Sequence, residues 1–177
     1  MATTTGITAR SQEASGLLLQ LETKLGDASP VLTAIGEDMS ERINQRFATA
    51  TAPDGSRWRP NTQVTIMNYL KARSGFSAKT GKISAKGQKL AIFKRPLQGL
   101  NNDLARQIVP VVKNNVLSVV NTMAYAAMQH YGGQKSQFPK LWGDIPSRRF
   151  MPLTLQGEMD EGEKDLVLDR LREYLQE

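Results

Sequence analysis

The 177-residue chain contains no cysteine. That excludes disulfides, iron–sulfur clusters and thiol catalysis, and it fits a reducing compartment or a protein stabilised by assembly. Aromatic residues make up only 6% of the sequence, so within an apolar fraction of 40% the core has to rest on Leu, Ile, Val, Ala and Met. There is one histidine, His130. A zinc site would therefore lean on three or more carboxylates or waters. No G-x-S-x-G elbow accompanies the histidine to make a nucleophilic triad. Nothing approaches the ~18 consecutive apolar residues of a membrane span. The opening residues, MATTTGITARSQEASG, lack the apolar stretch of a secretory signal. The expectation is a soluble protein made in the cytoplasm, with no membrane contact, no cofactor and no metal.

Acidic residues are missing from one long stretch. Between Asp54 and Asp103 there are 10 Lys or Arg and no Asp or Glu. Residues 158–177 are the reverse, with 8 acidic and 3 basic side chains, a net of −5. The rest of the chain then carries +11 against an overall +6. A basic segment of this kind suits contact with a polyanion, or with acidic surfaces of neighbouring subunits, including the C-terminal helix of another copy. The plain alternative is a flexible, solvated loop.

The length suits a single domain over residues 1–177. Residues 16–25 read as a helix with Leu17, Leu18, Leu21 and Leu25 on one face. Ser29 is a good N-cap for the next helix, and Pro30 fits its first position. Val31, Ile35, Met39, Ile43 and Phe47 then recur every four residues to about Thr49. With Glu37, Asp38, Glu41, Arg42 and Arg46 expected outside, this is an amphipathic helix. Pro53-Asp54-Gly55 is a turn, and Trp58 just beyond it is expected to fold back as a hydrophobic plug. Residues 62–73 suit a short helix. Residues 74–89, SGFSAKTGKISAKGQK, look like a mobile loop or β-excursion ordered by a partner, within a basic arm at about 61–95. "LARQIVPVVKN" and "VLSVVNT", separated by Asn114-Asn115, predict an antiparallel pair, with Pro110 at an edge or a bulge. "AYAAMQHY" is a short helix stopped by Gly132-Gly133. "FMPLTLQ" reads as extended. A last helix over 158–176 turns Val167, Leu168, Leu171 and Leu175 to one side, with its acidic half at the positive end of the dipole. The fold class is α+β: long amphipathic helices on a small antiparallel sheet, with an extended basic loop and a C-terminal helix.

Chemical motifs are few. "GFSAKTGKIS" superficially resembles a phosphate-binding loop, but five residues separate Gly75 from Gly81 and Ile83 follows Lys82, so the motif fails. A paired-carboxylate hydrolase has no sequence signature here, and most acids sit on helix faces. In the last turn of its helix, His130 suits capping of carbonyls or the helix dipole better than catalysis. In "DIPSRRFMPL", a stiff extended segment presents Arg148 and Arg149 with Phe150 and Leu153 tucked inward. Paired guanidiniums in that setting suit inter-subunit carboxylates or phosphate.

These pieces, in this order, resemble the Mu-like phage virion morphogenesis proteins, also described as tail completion proteins. The matching residues are Arg46 and Phe47 at a helix end; Pro53, Asp54, Gly55, Trp58 and Pro60; Tyr125, Ala126, His130, Gly132 and Gly133; and Ile145, Pro146, Arg148, Phe150 and Leu153. The resemblance spans about residues 40–155. Asn61 to Arg95 falls outside the pattern, and "PLQGLNNDL" stands where a TG-x-L signature is usual.

The resemblance implies a non-enzymatic structural protein of a tailed-phage virion. Such a protein completes the tail or neck and joins head to tail, as part of a ring around the DNA channel. The expected partners are further copies of itself in a hexamer or dodecamer, adjacent neck, connector or tail proteins, and packaged DNA. In this reading Pro53, Asp54, Gly55, Trp58, Tyr125, His130, Gly132, Gly133, Arg148, Arg149 and Phe150 lock the fold and build subunit contacts. Lys71, Arg73, Lys79, Lys82, Lys86 and Lys89 are candidates for contacting the DNA channel or a neighbour. Two other readings compete: a free nucleic-acid-binding protein using the basic body, and a hydrolase using His130.

Overall fold

The computed structural model describes residues 16–176 apart from residues 17, 18, 21, 25, 100 and 142. Leu17, Leu18, Leu21 and Leu25, the face expected for a first helix, therefore lie outside the described residues. The long helix α1 is Ser29–Thr49. Helices α2 (Gln63–Ala72), α3 (Ala85–Phe93) and the single turn α4 (Asp103–Arg106) precede a hairpin of β1 (Ile108–Lys113) and β2 (Val116–Asn121). The short helix α5 (Ala126–Tyr131) and the C-terminal helix α6 (Glu161–Gln176) follow. The class is α+β, with helices packed on a small antiparallel sheet. No described helix is long and apolar enough to cross a membrane.

Val31, Ile35, Met39, Ile43 and Phe47 of α1 are all buried. A four-residue spacing overshoots a 3.6-residue turn by about 40° per step. The stripe thus winds around α1 and feeds two cores. Val31, Ile35 and Met39 pack with Leu117 and Val119 of the hairpin and with Val167, Leu171 and Tyr174 of α6. Ile43 and Phe47 join Trp58, Leu104, Ala126 and Phe150. Gly36 lets the hairpin close on α1: a Cβ there would stand 2.8 Å from Pro110 Cβ. The helix starts differently from expectation. Ser29 is already helical, and Asp27 serves the end instead, its carboxylate accepting the Ser29 N–H at 3.0 Å. Hydrogen bonds from the Ser29 side chain and backbone hold the Asp27 carboxyl below its usual range. A charged oxygen is the stronger acceptor for an orphan helix N–H.

In the hairpin, Asn114 and Asn115 both take positive φ, 52° and 57°. This is the twist a two-residue connection needs. The register pairs Ile108 with Asn121 through to Lys113 with Val116. Counted from the turn, Pro110 faces Val119 at a non-hydrogen-bonded position, so its missing N–H costs the ladder nothing. One face turns to α1, and Val109, Val111, Val116 and Val120 stay exposed on the other.

Residues 74–89 form an excursion with one β-bridge and then the start of α3, in place of a mobile loop or a β-excursion ordered by a partner. The chain orders them by itself. Phe76 bridges to Ile83, and Ser84 Oγ accepts the Gly87 N–H at 3.1 Å as the N-cap of α3. A Cβ on Gly87 would fall 2.0 Å from the Gly75 carbonyl oxygen. These glycines are close-approach points between backbones rather than marks of flexibility. The α2–α3 unit is tied to the body where Arg95 donates to the Ala48 carbonyl and Asn61 Nδ2 donates to the Lys94 carbonyl at 3.3 Å.

The C-terminal part brings two more corrections. "FMPLTLQ" is not extended throughout: it bends at Met151 and Pro152, and Leu153 bridges to Met159 across a turn. On α6, Leu168 and Leu175 are exposed, and Tyr174 joins Val167 and Leu171 against α1. Glu163 fixes that rotation. It is buried, and Arg42 and Arg46 of α1 both pair with it.

Candidate functional site

Most residues singled out in the sequence meet in one knot beside the C-terminal end of α1. The Pro53-Asp54-Gly55 turn is closed by Ala52 N–H to the Ser56 carbonyl at 2.8 Å, with Gly55 at φ 77°. Asp54 Oδ1 accepts from Ser56 Oγ at 2.6 Å and from Ser56 N–H at 2.9 Å. Those bonds hold its carboxyl below the usual range. The turn reverses the chain so that Trp58 N–H reaches the Ala50 carbonyl at 2.8 Å. The indole is buried edge-on to Phe47, 5.5 Å between ring centroids, and its Nε1 donates to the Arg149 carbonyl at 2.9 Å. Trp58 is the expected plug, and it clamps the segment of Arg148 to Phe150.

That segment is held from the other side by the end of α5. Gly132 takes φ 79°, and a Cβ there would lie 2.7 Å from Ser147 N. Gly133 and Ile145 exchange backbone hydrogen bonds at 2.9 and 2.8 Å, and Ser147 Oγ donates to the His130 carbonyl at 2.7 Å. The His130 side chain is only 2% exposed. Its Nδ1 accepts from Phe150 N–H at 3.2 Å and Met151 N–H at 3.3 Å. Two donors on Nδ1 leave the proton on Nε2 and the ring neutral. Burial pushes the imidazole down to about 4, with the Arg149 charge acting in the same direction. The Leu153 backbone opposes this and the Arg46 charge adds to it. Nε2 itself is buried with no hydrogen-bond partner among the described residues. His130 therefore does not cap its own helix, as the sequence suggested. It is an acceptor for a neighbouring segment whose backbone has no strand partner. With that lone pair engaged and its pKa depressed, the ring is poorly suited to act as a base near neutrality.

The arginines also differ from expectation. Arg46, expected on the exposed face of α1, is buried. It donates to the Phe150 carbonyl at 2.9 Å and pairs with Glu163. Burial lowers its pKa and the Glu163 charge opposes that. Arg148 is not presented to a partner: its Nε donates to the Arg59 carbonyl at 3.0 Å and its Nη2 to the Pro60 carbonyl at 3.2 Å. Burial lowers its pKa as well. Arg149 is spent on Asp54 and Asp160. Carbonyls left unpaired by the irregular backbone of 57–60 and 148–152 take up the Arg46 and Arg148 guanidiniums. Arg46 was legible in part through the Arg-Phe match; Glu163 had no signal, because only the docking of α6 selects it.

Tyr125 stands apart from this packing. It is exposed and lines a cleft of about 490 Å³ together with Tyr69, Lys94 and Arg148. Lys94 Nζ lies 5.0 Å from the Tyr69 ring centre, and burial together with the Arg148 charge lowers its pKa. Lys71, Arg73, Lys79, Lys82, Lys86 and Lys89 are all exposed, on α2, the following excursion and α3.

No curated protein and no solved structure matches the chain. A model of the phage virion morphogenesis family matches residues 9–176, nearly its whole length.

Proposed function

This chain belongs to the phage virion morphogenesis family, and we propose that it completes the tail or neck of a tailed phage and joins head to tail there. In this reading copies of the chain form a ring, a hexamer or dodecamer, around the DNA channel. It touches adjacent neck, connector or tail proteins and has no catalytic role. The family match over nearly the full length carries the proposal. Supporting it, the one histidine is committed to holding backbone, and the acidic and basic surfaces are well separated along the chain. The test is a phage carrying an amber codon in this gene, grown with and without suppression. Filled heads and separate tails accumulating without suppression is the expected outcome. Joined, infectious virions would overturn it.

The +11 body favours one competing reading, a free DNA-binding protein. It predicts that the purified chain binds duplex DNA with an affinity falling steeply as salt rises. Absence of binding at low salt removes it.

A further inference from the structure

The outer face of α3 carries an unusual combination. Lys86, Lys89, Ile92 and Phe93 fall at i, i+3, i+6 and i+7 and so share one side of the helix. Ile92 is 78% exposed and Phe93 76%. The opposite side of α3 is the one seated in the chain, through Gly87 against Gly75. A basic face meant only for phosphate gains nothing from a bare Phe–Ile pair, since phosphate contacts are made by charge and hydrogen bonding. Such a pair ringed by cations is instead what a protein partner with apolar and acidic side chains would cover.

The matching surface lies on the same chain. On α6, Glu161, Asp165, Leu168 and Leu175 fall at i, i+4, i+7 and i+14, on a flank left free by the contacts of Val167, Leu171 and Tyr174 with α1. Leu168 and Leu175 are exposed, and Asp165 beside them is exposed too. One patch is basic with an aromatic anchor; the other has its leucines and, toward the start of α6, Glu161 and Asp165, with Lys164 paired to Glu161 and Arg172 to Asp169 along the same helix. Among the described residues nothing covers Ile92, Phe93, Leu168 or Leu175, so these residues of one copy do not satisfy each other.

Resting on the structural reading above, we infer that the Lys86–Phe93 face of α3 docks on the Glu161–Leu175 flank of α6 in a second copy of this chain. One patch meets a different patch, so the contact is head-to-tail, and repetition closes a ring or runs on as a filament. Opposite charges set the register, and Phe93 and Ile92 against the leucines supply the apolar centre.

The absence of cysteine makes a site-specific test simple. Chains with Phe93→Cys and chains with Leu168→Cys are mixed and treated with a short bis-maleimide. The heterodimer is expected to form several-fold faster than from Phe93→Cys mixed with Ser118→Cys, which places the second thiol on the exposed face of β2. Adding Lys86→Glu and Lys89→Glu to the first chain abolishes the excess, and Glu161→Lys with Asp165→Lys on the second restores it. Equal rates with the Ser118 control, or no response to charge reversal, overturn the inference. All these positions are exposed, and circular dichroism checks that each variant folds. The same cross-link is then sought in virions carrying both cysteines on one chain. Virions that contain the protein but give no Phe93–Leu168 cross-link overturn this contact and leave the proposed function standing. Absence of the unsubstituted protein from wild-type virions overturns both.

Discussion

His130 replaces the strand that residues 150 and 151 do not have. Two backbone N–H groups end on its Nδ1, in a buried place where an unpaired N–H costs about 1–3 kcal/mol. His130→Leu should therefore destabilise the fold by about 3 kcal/mol in urea titration. His130→Asn, whose Oδ1 stands near the Nδ1 position, should lose clearly less. The pH dependence has a definite sign. The folded chain keeps the ring neutral down to about 4, while the unfolded chain takes up a proton near 6.5. Stability is thus intact above pH 6.5 and drains away as pH falls toward 4, by about 3 kcal/mol in all. His130→Asn should flatten that part of the stability profile; an unchanged slope would show that another group is responsible. Arg46 and Glu163 make the second residue-scale case. Arg46→Met leaves a buried carboxylate held only by Arg42, at a cost of about 3 kcal/mol. Arg46→Met with Glu163→Leu should recover most of the loss in a double-mutant cycle.

At the scale of elements, glycines decide what touches what. Gly36 admits the hairpin to α1, and Gly87 admits α3 to the Gly75 backbone. Gly36→Ala meets Pro110 and Leu117 side chains and should cost about 1–3 kcal/mol, with the hairpin shifting outward. Gly87→Ala meets a backbone carbonyl that cannot turn aside, so α3 should undock while the α1 core persists. Hydrogen exchange would show this as lost protection confined to residues 75–93. Loss of protection throughout α1 would contradict it. The element scale also explains a partial reading of the sequence. The i+4 stripe of α1, the Asn-Asn hairpin and the Pro-Asp-Gly turn were legible because each depends on residues close in sequence. The excursion at 74–89 was not. Its glycines and lysines carry the composition of a disordered loop, and only their contact partners reveal order.

For the whole molecule, the separation of charge has a measurable consequence. If the α3 face makes contacts between copies, reversing Lys86 and Lys89 should raise the concentration needed for assembly about tenfold. Reversing Lys79 and Lys82, which lie outside that face, should leave assembly unchanged. Sedimentation at graded salt would separate the two, and equal effects from both pairs would mean that only net charge matters.

By itself the sequence determined the class, the family and the elements with strong local signals, such as α1, the hairpin and α6, because periodicity, turn chemistry and motif order are local properties of the chain. Tertiary structure decided the rest. The sequence could not say that Arg46 and Arg148 point inward, since an arginine on a polar face is normally solvated and goes inside only where stray carbonyls or a buried carboxylate await it. Nor could it say that Leu168 and Leu175 stay outside, because the rotation of α6 is set by Glu163 reaching two arginines more than 100 residues away. His130 stands between the two cases: its position at a helix end was legible, and its task was assigned only when the fold laid residues 150 and 151 across its ring.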